Sequence, residues 1–163
     1  MERRRVTHER PLADRVEVAA PDFAAFVARG LGRLPKPLRQ RILLGAFDRA
    51  RDAFNRGDLE ALFALFASDV EYVPPPPLHA GDCLRGRAAL FDFWHGVRER
   101  YEESTIENLS LEESSPGRIV RRARLRHRSS ATGHELAYVI VQTTELDRGR
   151  VVRQLNALEP EGR

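Results

Sequence analysis

Apolar residues recur at helical spacing in four stretches of the chain and alternate with polar ones in five. The longest helical stretch runs from Leu38 to Asn55. There Ile42, Leu43, Ala46, Phe47, Ala50, Ala53 and Phe54 form one continuous stripe opposite arginines and aspartates, which predicts a long amphipathic helix. Asn55-Arg56-Gly57-Asp58 ends it, because glycine takes the left-handed C′ conformation easily and aspartate caps a following helix. Leu62, Phe63, Leu65 and Phe66 predict a short second helix over 59–67. Asp69-Val70-Glu71-Tyr72-Val73 then alternates as a strand, and Pro74 to Pro77 close it, since proline cannot donate to a ladder.

Leu90, Phe93, Trp94, Val97 and Tyr101 mark the buried face of a further helix from about Gly86. Strands are predicted over 105–113, 118–128, 135–146 and 151–158. Ser115-Pro116-Gly117, Thr132-Gly133 and Asp147-Arg148-Gly149 separate them, and turns this regular predict an antiparallel meander. Ahead of all this, residues 1–20 are polar and aperiodic and predict a mobile or loosely docked arm. Phe23, Phe26, Val27 and Leu31 after Pro21 predict one short amphipathic helix, and Gly30, Gly32, Pro35 and Pro37 break the chain behind it. The expected organisation is an appendage over 1–37 and a domain over 38–160.

Composition narrows the classes. At 163 residues with 42% hydrophobic and 31% charged residues, the chain has the make-up of one globular domain, and no apolar run reaches membrane-spanning length. MERRRVTHERPL has no apolar core behind its arginines, so a secretory signal is not expected. One cysteine excludes an internal disulfide, and a reducing cytoplasm is the expected compartment. Of 27 basic residues all but Lys36 are arginine, yet 24 acidic ones are interleaved and the net charge is only +3. That balance argues against a nucleic-acid partner.

This order of elements resembles the nuclear transport factor 2-like superfamily, and more narrowly its SnoaL-like branch. Phe54 to Asp58, Leu62 to Phe66, Ser68 to Tyr72, Gly86 to Leu90 and Asp147 to Val152 carry the resemblance over about residues 38–158. It implies an α+β fold: a strongly curved mixed or antiparallel sheet wrapped around the long helix, an apolar cavity inside, and a homodimer. The catalytic carboxylates of that superfamily's enzymes have no counterpart here. Pro74 stands about where ketosteroid isomerases place their base, and no acidic residue lies between Arg118 and Arg128, where cyclases and epoxide hydrolases place theirs. Scytalone dehydratase pairs two histidines, against a single His127 on an interior strand here.

His127 is accordingly the candidate acid or base. Alternation groups it with Ala123 and Leu125, opposite Arg122, Arg124, Arg126 and Arg128. Its other reading is a histidine hydrogen-bonded into the core. The arginine row reads either as an anion site or as a solvated face paired with Glu107, Glu112, Glu135 or Glu145. Tyr72, Trp94, Tyr101 and Tyr138, each an apolar body with a polar tip, are candidate pocket residues with Gln154 and Asn156. His79, Asp82 and Cys83 share a loop expected at the pocket mouth, a set that could support nucleophilic chemistry. No paired-histidine spacing offers a metal site, and no cofactor is indicated. Two functions stay open: a pocket protein that binds a small lipophilic ligand without catalysis, or an acid–base enzyme acting on such a molecule as isomerase, dehydratase, cyclase or hydrolase.

Overall fold

A computed structural model describes residues 10–79 and 81–159, except for the side chain of Phe23. Residues 1–9 of the expected arm, the place of Phe23 on its helix face and the domain end at Pro160 therefore lie outside the described residues.

The chain forms α1 (Leu12–Ala19), α2 (Pro21–Gly30), a 3-10 turn (Leu31–Arg33), α3 (Lys36–Arg56), α4 (Leu59–Leu62), β1 (Phe66–Val73), β2 (Leu84–Arg85), α5 (Arg87–Arg100), β3 (Tyr101–Ser115), β4 (Arg118–Ser129), β5 (Glu135–Asp147) and β6 (Arg150–Leu158). One six-stranded sheet runs in the order β2-β1-β6-β5-β4-β3. The meander β3 to β6 is antiparallel as expected, and β1 joins it parallel to β6, which makes the sheet mixed. This is the α+β cone, with the sheet curved and left unclosed.

The hinge between α3 and α4 follows its sequence closely. Gly57 sits at φ 82°, and the amides of Gly57 and Asp58 return to the carbonyls of Phe54 and Ala53 at 3.0 and 2.9 Å. Asp58 then accepts from the Ala61 amide at 3.2 Å and so caps α4. Asn55 ties the end of α3 to the sheet edge, donating to the Ile106 carbonyl at 3.2 Å and accepting from its amide at 2.7 Å. Phe54, Phe63, Val70, Leu90, Val97, Ala123, Leu125 and Ile140 belong to one buried cluster between the helices and the concave face.

Three expectations need correction. The second helix is a single turn, and Phe66 to Ser68 begin β1, where Phe66 stands opposite Val151. Tyr101 opens β3 and does not extend the preceding helix. The polar stretch before Pro21 contains α1, whose one buried residue is Asp14. Its anchorage is ionic: Asp14 pairs with Arg56, Glu17 with Arg49 at 3.2 Å, and Arg10 just ahead of it with Asp58 at 2.7 Å. Hydrophobic periodicity carries no trace of such an attachment. Among the described residues, no helix is long and apolar enough to cross a membrane.

Candidate functional site

Strict alternation along β4 turns Ile119, Arg121, Ala123, Leu125 and His127 onto the buried concave face. Arg122, Arg124 and Arg128 point the other way and meet Glu159, Glu107 and Glu102 at 2.6–2.9 Å, and Arg126 is exposed beside them. Among the described residues the row is therefore an outer face with three of its four arginines paired, Glu107 being the one expected partner used. On β5 the inward positions include Ile140, Gln142 and Thr144, and on β6 Gln154 and Asn156. The ladders align these in rows. Arg121 stands opposite Gln142 and Gln142 opposite Asn156; one step along, Ile119, Thr144, Gln154 and Tyr72 follow one another across the sheet.

These rows floor a cavity of about 720 Å³ whose walls are mainly apolar, with Leu43 and Phe47 from α3, Phe63 and Ile106 among them. That volume lies within the range of about 300–1,000 Å³ typical of small-molecule sites. The stripe of α3 faces this space, which explains why Ile42, Ala46, Phe47 and Ala50 are only half-buried.

The floor is chemically unfinished. Asn156 donates to the Val73 carbonyl at 2.7 Å, which leaves its Oδ1 to accept from Gln142 Nε2 at 2.8 Å. The relay strands Gln142 Oε1 as a buried acceptor, and Thr144 Oγ1 and Gln154 Oε1 are likewise buried without partners. Arg121 is 6% exposed. Its Nη1 donates to Asn108 Oδ1 at 3.0 Å and its guanidinium lies over the Phe47 ring at 5.3 Å, while Nε has no partner. Burial lowers its pKa to about 10, against a smaller opposing effect of Tyr72, so it stays charged at neutral pH. Burial also raises the Tyr72 phenol, against a smaller opposing effect of the Arg121 charge, so this group stays protonated. Uncompensated burial of an ion costs several kcal/mol.

At its other end the cavity is bordered by α1, α2 and the turns after β3 and β5. The carboxylates there are each held by an arginine of α3: Asp14 by Arg56, Glu17 by Arg49, and Glu113 by Arg39 at 2.9 Å. Burial raises the pKa of Glu17, against the neighbouring Arg49 charge and hydrogen bond. Gly149, at φ 79°, lets α2 seat against the β5–β6 turn, since a Cβ there would fall 2.2 Å from the Ala25 carbonyl oxygen. Phe26 and Val27 of α2 nevertheless remain exposed, so the face expected to be buried is only partly covered.

The SnoaL-like domain family matches residues 47–154, which takes in the second half of α3, α4, α5, strands β1 to β5 and β6 as far as Gln154. The chain belongs to the SnoaL-like domain family. No curated protein matches it. An NTF2-like protein of unknown function from Burkholderia pseudomallei is 22% identical with a TM-score of 0.62, covering 71% of this chain and 89% of its own. TerC, solved with polyporic acid, is 18% identical with a TM-score of 0.61, covering 71% and 90%. IdmH, a candidate polyketide cyclase from Streptomyces antibioticus, is 20% identical with a TM-score of 0.58, covering 69% and 88%. At these identities the likeness establishes the fold.

Within this SnoaL-like cone, Tyr72, Trp94, Gln154 and Asn156 line the cavity. Tyr101, Tyr138 and His127 lie outside its lining and form a separate cluster. His127 Nδ1 meets Ser104 Oγ at 2.9 Å, Nε2 meets the Tyr138 hydroxyl at 3.0 Å, and the Tyr101 ring lies 5.0 Å away. Burial, with a smaller contribution from the Arg98 charge, lowers its pKa to about 4. A fully buried, neutral histidine with both nitrogens occupied matches the core reading of this residue. His79 packs edge-on to Phe93 at 5.7 Å, and Asp82 and Cys83 are exposed. None of the three borders the cavity, which α1 and α2 border instead.

Arg121, Gln142 and Thr144 are the site residues that sequence reasoning passed over. Arg121 shares the parity of Ala123, Leu125 and His127 and so was visible as an inward arginine.

Proposed function

We propose that the chain is a binding protein for a small lipophilic molecule, held inside the cone with its polar groups against the β4–β5–β6 floor. The observation that carries this reading is a cavity of about 720 Å³ with apolar walls and orphaned polar atoms gathered on one surface. Buried polar groups without partners are costly in an empty core and useful where a ligand supplies the missing bonds. TerC's crystallisation with polyporic acid supports a cone of this kind as a container for an organic molecule.

Binding is favoured over acid–base catalysis because the floor holds no group that exchanges a proton near neutral pH. Arg121 and Tyr72 keep theirs, and Gln142, Thr144, Gln154 and Asn156 do not titrate in that range. Glu17, the described cavity carboxylate whose pKa is raised, sits on α1 against Arg49. The homodimer implied by the family resemblance and a cytoplasmic location belong to the same proposal.

The test is native mass spectrometry of the protein after exposure to an organic extract of its expression host. Wild type is expected to retain a discrete small molecule that denaturation releases, and Ala50→Trp, which fills the cavity from α3, to lose it. Retention of nothing by wild type, or equal retention by both proteins, contradicts the reading.

A further inference from the structure

Arg121 differs from the arginines around it. Five arginines of α3 and β4 that border the cavity or the outer face meet carboxylates: Arg39 with Glu113, Arg49 with Glu17, Arg56 with Asp14, Arg122 with Glu159 and Arg124 with Glu107. Arg121 is more deeply buried than these, and among the described residues no carboxylate pairs with it. Its neighbours are neutral: Asn108 takes one of its five N–H donors, Phe47 covers one face of the guanidinium, and the Nε donor is left over. A planar fork with its face occupied and its edge unfilled is the geometry that receives a carboxylate or a similar delocalised oxyanion.

We propose that the ligand of this cone is an organic acid whose anionic group binds Arg121, and that it carries a hydroxyl or N–H donor for the neighbouring Gln142 and Gln154 oxygens. This rests on the cavity being a ligand site, and it names the ligand's class. The anion supplies the missing countercharge, and the cavity is where it must enter, because the other sides of the side chain are filled by Asn108, Phe47 and the sheet. The two amide oxygens repel an anion and accept from a donor, which separates the ligand's acidic end from its hydroxylated one. Thr144 Oγ1, also without a partner, serves either role. The apolar walls take the hydrocarbon body.

An isosteric pair of probes isolates the charge: 2-naphthoate and 2-naphthamide, titrated calorimetrically at pH 7.5 into wild type and Arg121→Met. In wild type the carboxylate is expected to bind at least about tenfold more tightly than the amide, the scale of a desolvated charge-assisted contact. Arg121→Met is expected to abolish that preference, to change the amide's affinity less than about twofold, and to melt higher than wild type in the absence of ligand. Arg121→Lys, which keeps the charge and loses the fork, is expected to retain a reduced preference. Equal affinities in wild type, or a preference that survives in Arg121→Met, overturn the assignment while leaving the pocket standing. Failure of both probes to bind wild type at millimolar concentration overturns the pocket reading, and this inference with it.

Discussion

Acidification from pH 6.5 to pH 4 is expected to cost the folded protein about 3 kcal/mol through His127 alone. The ring is fully buried among Ser104, Tyr101 and Tyr138, and burial, with the Arg98 charge behind it, lowers its pKa from 6.5 to about 4. In the unfolded chain the imidazole takes up a proton on passing below pH 6.5, whereas in the fold it resists until about pH 4. The unfolded state therefore binds more protons throughout that window, and stability falls as pH falls. Above pH 6.5 the histidine is neutral in both states and the penalty vanishes. Denaturant unfolding at pH 7 and pH 4.5, on wild type and His127→Phe, measures this. His127→Phe is expected to lose about 1–3 kcal/mol at pH 7, because Ser104 and the Tyr138 hydroxyl are left without their partner. Its stability is then expected to fall less steeply with acid than that of wild type. Parallel pH profiles would show that His127 titrates normally.

The second large effect concerns the attachment of α1. Arg56→Met leaves the Asp14 carboxylate buried without its partner, a loss of about 3–5 kcal/mol in comparable sites. Because α1 offers almost no apolar anchorage, this loss is expected to appear as local opening more than as global unfolding. Amide hydrogen exchange over residues 12–30 is expected to accelerate by about a hundredfold or more, while the β4–β5 ladder stays protected. The double variant Arg56→Met with Asp14→Leu removes both charges together and is expected to recover most of the protection. Acceleration spread evenly over the sheet, or none at all, would contradict the ionic anchorage. Since α1 and α2 border the cavity, Arg56→Met is also expected to shorten the residence of any bound ligand.

The sequence displayed more of the fold than of the site, and the reason is physical. The α3 stripe, the Gly57–Asp58 hinge and the alternation of β4 are local patterns that chemistry writes directly into residue order. The start of β1 was not legible, because Phe66-Ala67-Ser68 is as apolar as a helix face and becomes a strand only through its pairing with distant β6. The helix at 12–19 escaped because its docking is made of charges, which periodicity does not weigh.

At the site, alternation correctly assigned His127 to the buried face of β4, and it assigned Arg121 there equally. What alternation lacks is depth along the strand. The two residues are six positions apart, about 20 Å on an extended chain, so one meets the cavity and the other the cluster of Ser104, Tyr101 and Tyr138. Tyr72 on β1 and Trp94 on α5 border the cavity while Tyr101 and Tyr138 do not, although all four are aromatic with polar tips, so residue type alone does not separate the pairs. The loop of His79, Asp82 and Cys83 gathered suggestive chemistry in a short span, yet none of the three borders the cavity.

The central claim is that the space inside the cone receives a small molecule, and a methyl-resolved NMR titration tests it most directly. With Ile, Leu and Val methyls labelled, 2-naphthoate is expected to shift Leu43, Ile119, Leu125 and Ile140, which border the cavity, in a saturable manner. Val120, Val139 and Val152, which do not border it, are expected to stay in place. Shifts confined to such outer methyls, or no saturable shift at millimolar probe, would contradict the claim.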